Sequence, residues 1–242
     1  MIMKYIFTLI IILSLTSCSA QIFTGTLDKW EQKKAEVVTG LMKPKVIGTI
    51  DENGNFNISL PENYLEAKQK KIEEENSNSE NWNSSLLTVK QVFNCYGDSL
   101  QVTNGDQYLT TLGTMSVFDL VNMKEKKKYG FFLAASSKTF AEAYASFGQK
   151  NAKQGFVVDY YYVSEPAMVK GTCLTVKYTG NNDENFEKKT DYNLNFKKGW
   201  NIVKYKIEEV YKSSSGKTYA KNISYSTCPE FPKNIVFTYF KD

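Results

Sequence analysis

The chain has 242 residues, enough for one large or two small domains, and 42% of them are apolar, enough to fill a core. The formal charge of +4 is mild; all 30 basic residues are lysine and there is no histidine. Without His the usual general base near neutral pH and the commonest metal ligand are missing, and without Arg so is the bidentate fork for phosphate, carboxylate and guanine.

The chain opens on a short basic stretch ending at Lys4, then an apolar run over residues 5–15. As a helix that run extends about 16 Å, roughly half a bilayer's hydrocarbon core, so it reads as a secretory signal and not a span. Two cleavage patterns overlap. Cys18-Ser19-Ala20 before Gln21 satisfies the small-x-small rule of ordinary signal peptidase. Leu15-Thr16-Ser17-Cys18 resembles the lipobox of bacterial lipoproteins, with all four positions filled. That resemblance implies a signal peptide over 1–17, cleavage before Cys18, and a lipid on the Cys18 thiol. Two or three acyl chains, at about 0.8 kcal/mol per buried CH2, then anchor the body to a membrane. By the same family's sorting rules, Ser19 after the cysteine implies the outer membrane. The absence of a following acidic run implies the periplasmic side.

Four cysteines are present: Cys18, Cys95, Cys173 and Cys228. With Cys18 acylated, at most one intramolecular disulfide forms among the other three, and spacing does not choose the pair. No CxxC spacing occurs, so neither a redox motif nor a zinc site is expected.

Residues 22–60 read as short strands. Residues 46–50 and 56–60 flank "DENGN", where Asn53-Gly54 predicts a two-residue type I′ hairpin turn. The same letters imitate the start of a calcium loop, with oxygens at Asp51, Asn53 and Asn55. Phe56 then stands where that loop needs its sharp-turn Gly, so a hairpin is expected. The pattern resembles the small transthyretin-like sandwiches near the N-termini of exported bacterial proteins. After Pro61, residues 63–75 predict a helix with Tyr64, Leu65, Lys68 and Ile72 on one side. Residues 76–85 read as a polar linker in which Trp82 is an outlier.

From residue 86 the signals are of strands: 87–95 by alternation, 99–103 and 108–118 around Asn104-Gly105, and 129–135 as a buried run. A helix follows, with Thr139 and Glu142 as its capping box, Phe140, Tyr144 and Phe147 on one face, and Gly148 ending it. Further strands are expected at 155–163, 168–178, 191–196, 200–211, 220–225 and 235–240. "NLNFKKGWNIV" predicts a hairpin with a three-residue loop over residues 197–199, Phe196 facing Trp200 and Leu194 facing Ile202. Past Ile202 the apolar phase shifts to Val203, Tyr205 and Ile207, which requires either a bulge or burial on both faces. "VKGTC" at 169–173, "YNLNFKKGWNIV" at 192–203 and "FPKNIVFTYF" at 231–240 together resemble uncharacterised exported bacterial proteins. No activity is attached to that pattern.

Catalytic motifs are not organised. Ser214 and Lys217 fit a Ser-x-x-Lys spacing, but between two strands and without partner motifs they read as a surface turn. Glu208-Glu209 point to opposite faces of a strand, and Asp183-Glu184 lie in a loop. No cofactor-binding or metal-binding motif is found, and no catalytic residue is assigned. The basic cluster at 124–130 reads as a solvated turn, and interspersed acids argue against nucleic acid. Tyr160, Tyr161 and Tyr162 run in succession, so on a strand one ring faces away from its neighbours. With Trp82 they are the candidate binding aromatics.

The expected fold is mainly β: an antiparallel sandwich or barrel-like body over 86–242 with one or two short helices. A small β-rich region with its helix precedes it over 18–75. The expected function is a lipid-anchored envelope protein with a non-catalytic binding or structural role and a protein or glycan partner. The alternatives are an envelope-glycan hydrolase with paired carboxylates and a carrier of lipids or small ligands.

Overall fold

The computed structural model describes residues 22–39, 44–79, 83–95, 99–113, 117–180 and 184–242. The expected signal peptide, Cys18, Trp82 and Asp183 lie outside the described residues. The protein is mainly β, and its strands join one large mixed sheet that does not close into a barrel and forms a sandwich-like body. In chain order the elements are β1 (Ile22–Thr26), β2 (Ala35–Thr39), β3 (Lys45–Ile50), β4 (Asn55–Ser59), α1 (Tyr64–Ser77), β5 (Leu87–Thr88) and α2 (Val89–Val92). Then come β6 (Leu100–Thr103), β7 (Tyr108–Thr111), β8 (Phe118–Asn122), β9 (Lys127–Ala135), α3 (Lys138–Tyr144) and β10 (Gly155–Val163). The chain finishes with β11 (Ala167–Tyr178), β12 (Asn185–Phe196), β13 (Gly199–Lys212), β14 (Thr218–Cys228) and β15 (Val236–Lys241).

The sheet runs β1-β4-β3-β2-β8-β9-β10-β13-β14-β12-β11-β6, with β15 paired to β9 and β7 to β10. The N-terminal strands thus continue the same sheet through β2 and β8, where Val37 stands opposite Leu120. Strands β10 and β13 are central and buried on both sides. Val158, Tyr160, Trp200 and Ile202 enter one core cluster; Tyr161, Val163 and Val203 enter a second on the opposite face. Double burial therefore accounts for the phase shift past Ile202, and a register shift follows only at residues 207–210.

Two turns reverse the sequence expectation. The β3–β4 hairpin forms, but only Gly54 has positive φ (+82°), so the turn is not type I′. Gly54 N donates to Asp51 O at 3.1 Å and Asp51 N to Asn55 O at 2.9 Å, which describes a three-residue loop with Gly54 at the bulge. The Asp51 carboxylate selects this geometry by accepting from Asn53 N and Asn55 N, both at 2.9 Å. At residues 197–199, where such a loop was expected, β12 and β13 do not pair. Strand β14 lies between them and runs parallel to β12. Phe196 consequently packs with Phe93 and Tyr161, while Trp200 faces the other core. The Asn201 side chain holds the connection by accepting from Lys197 N and donating to Lys197 O and Gly199 O.

The segment 87–95 is a two-residue strand and a helical turn, not one strand. Thr88 Oγ1 accepts from Gln91 N, and the Gln91 side chain accepts from Thr88 N. This capping box satisfies backbone donors that a strand would have paired elsewhere. The expected strand over 108–118 divides into β7 and the start of β8. Helix α3 is capped by Ser137, whose Oγ accepts from Phe140 N at 3.1 Å, in place of Thr139. It ends at Tyr144, so Phe147 lies beyond it instead of on its face.

Candidate binding cleft

Helix α1 lies over the sheet without any buried residue, so packing contributes little to holding it. Its first two turns are tied down by polar groups. Tyr64 Oη donates to the carbonyls of Thr111 and Leu112 at 3.2 and 3.1 Å, and its ring packs 4.8 Å from Trp200. Lys68 Nζ donates to Thr110 Oγ1. At the far end the Asn76 side chain exchanges two 2.8 Å hydrogen bonds with the Ser84 backbone. Between these ties a cleft of about 820 Å3 opens beneath the helix, in the size range of small-molecule sites.

The cleft is amphipathic. Leu112, Val117, Phe131, Ala67 and Ile72 contribute apolar surface, and Phe147 stands at its margin. Phe147 is 77% exposed and has φ of +52°, a left-handed conformation that a bulky aromatic rarely adopts. The lining also carries four lysines and two carboxylates, with Tyr64, Thr39 and Thr111. Glu75 pairs with Lys71 at 3.6 Å, and Asp119 pairs with Lys128 at 3.3 Å; Lys128 also reaches Asp242 at 3.4 Å. Lys45 and Lys68 have no carboxylate partner among the described residues. Burial, with Lys71 adding like charge, holds the Lys68 ammonium below the usual lysine range. Burial raises Asp119 above the usual carboxylate range, against the pull of Lys128.

The aromatic candidates take other roles. Tyr160 is 0% exposed, stacked on Phe23 at 5.4 Å, and Tyr161 is 7% exposed on the opposite face. The expected exposed ring is therefore absent at both, because α2 and its neighbours cover the second face. Tyr162 is half-buried 5.3 Å from Trp200, and its hydroxyl donates to Glu62 O at 2.7 Å, just before α1. It supports the helix entry and does not line the cleft. Cys95 and Cys173 form a disulfide, which joins the end of the α2 segment to β11, and Cys228 is a free thiol whose proton burial retains.

Ser214 makes no hydrogen bond to a lysine among the described residues. Its Oγ donates to Glu184 Oε2 at 2.9 Å in the β13–β14 turn. Glu208 and Glu209 accept cross-strand bonds from Ser224 and from Lys221 and Asn222. Sequence reading placed Lys68 on the correct face of α1 but did not single it out, since a lysine on a polar helix usually faces solvent. Leu112, just past the end of β7, Asp119 of β8 and Phe131 of β9 are far apart in the chain and carried no joint signal. No helix among the described residues is long and apolar enough to cross a membrane. Comparison with known protein families, curated proteins and solved structures finds no match.

Proposed function

We propose that this chain is a lipid-anchored protein of the bacterial cell envelope whose body has a non-catalytic binding role, with the cleft beneath α1 as its site. The anchor reading rests on Leu15-Thr16-Ser17-Cys18 behind a short apolar run. Ser19 after that cysteine and the lack of a following acidic run support an outer-membrane tether with the body facing the periplasm. The binding reading is carried by one observation: a cleft of about 820 Å3 roofed by a helix with no buried residue. Such a helix is held mainly by polar ties, so a molecule beneath it adds the apolar contacts it lacks.

Intact mass of the protein extracted from membranes tests the anchor. A species beginning at Cys18 with acyl mass is expected; one beginning at Gln21 without lipid refutes it. A second reading is favoured by one specific feature: Glu75 and Asp119 line the same cleft, and Asp119 holds its proton more tightly than an ordinary carboxyl. Paired-carboxylate hydrolysis of an envelope glycan needs two carboxyls facing one concave site, one of them protonated. Release of reducing ends from cell-wall glycan, lost in Asp119→Asn, would support that reading over binding alone.

A further inference from the structure

We propose that the cleft beneath α1 takes a free single-chain amphiphile with one anionic headgroup, its chain against Leu112, Val117 and Phe131 and its head at Lys68. The inference rests on the binding reading above and names the ligand class for that site.

Charge complementarity decides the head. Of the six ionised groups lining the cleft, both carboxylates already have a lysine, which leaves Lys68 and Lys45 without an acid among the described residues. The acceptor that Lys68 does have is the hydroxyl of buried Thr110, a neutral oxygen that orients the ammonium without neutralising it. A partly desolvated cation held in this way is incomplete until an anion arrives. A cationic ligand would meet four lysines. A polyphosphate would need several unpaired donors converging on it, and the chain has no arginine to supply a fork.

Shape and polarity decide the rest. Leu112, Val117 and Phe131 give one wall of the cleft an aliphatic and aromatic surface, with Phe131 stacked on Phe240 at 4.9 Å. Phe147 extends this apolar surface at the margin, in a backbone conformation maintained although its ring is unburied. Closing a chain under that ring and the exposed underside of α1 removes apolar area from water on both sides.

The test is calorimetric titration of the full chain carrying Cys18→Ser with decanoate, decylammonium and decanol, each below its micelle concentration. Decanoate is expected to bind about tenfold or more tighter than decylammonium, the effect of one charge-assisted hydrogen bond. Lys68→Met should abolish that preference, read as the ratio of decanoate to decylammonium affinity within the same variant; Lys68→Gln serves if the Met variant does not fold. Phe147→Ser, at an exposed position, should weaken all three alike. Equal binding of decanoate and decylammonium overturns the anionic class, and a preference that survives loss of Lys68 overturns the placement of the head at Lys68; both leave the cleft as a binding site. Failure of all three to bind overturns the cleft reading itself.

Discussion

Removing the disulfide between Cys95 and Cys173 should destabilise the body strongly without changing its fold. The bridge closes a loop with a sequence separation of 78. Chain-entropy reasoning then gives about 4.5 kcal/mol for constraining the unfolded ensemble. The folded state adds little beyond this, because Ser99, whose Oγ donates to Cys95 Sγ at 3.1 Å, is exposed and can bond water in its place. The variant Cys95→Ala/Cys173→Ala, in a Cys18→Ser background, should lower the urea midpoint by about 1.8 M for a denaturant slope of about 2.5 kcal/mol/M. Reductant should shift the parent protein by a similar amount and leave the variant where it is. The parent should expose one alkylatable thiol in denaturant without reductant, that of Cys228. An unchanged midpoint in the variant, or three alkylated thiols in the unreduced parent, would refute the reasoning.

Two further outcomes follow from single side chains. Tyr160 is fully buried and its hydroxyl has no protein partner among the described residues. Tyr160→Phe should therefore stabilise the protein by about 1 kcal/mol in urea titration, since it removes a desolvated oxygen and keeps the ring among Phe23, Phe118 and Phe231; a loss of stability would mean the hydroxyl is bonded. The Asp51 carboxylate is held below the usual range chiefly by its bonds to the Asn55 side chain and backbone. A depressed native value stabilises the fold above the unfolded carboxylate range, and the contribution is lost as pH falls through the native value. Asp51→Ala should thus lower the urea midpoint at pH 7, and the difference from the parent should shrink on acidification; a difference independent of pH would show that the charge is not responsible.

Local pattern was a good guide to where strands form. The run "GFVVDYYYV" occupies β10 over the residues expected, and β11, β13 and β15 begin and end within a residue or two of expectation. Period-2 alternation and β-branched or aromatic residues act on the chain locally, so they are visible without a partner. The short elements were less legible. Thr88-x-x-Gln91 is a capping box written in the sequence, but the alternation of Leu87, Val89 and Phe93 outweighed it. Glycine at the end of "DENG" and of "KKG" carries the same turn signal, and only one of the two turns joins paired strands.

By itself the sequence determined the β-rich class, the likeness of residues 15–18 to a lipobox, and the lack of His and Arg that limits the chemistry. Tertiary structure alone decided which cysteines meet, that β14 separates β12 from β13, and that Tyr160 and Tyr161 are core rather than surface. It also decided that Lys68 bonds Thr110 at the edge of a cleft whose other walls come from distant parts of the chain. The physical reason is common to all four. Strand pairing and cleft formation depend on contacts between residues far apart in the chain, and a local pattern states that a face is to be buried without stating what will bury it.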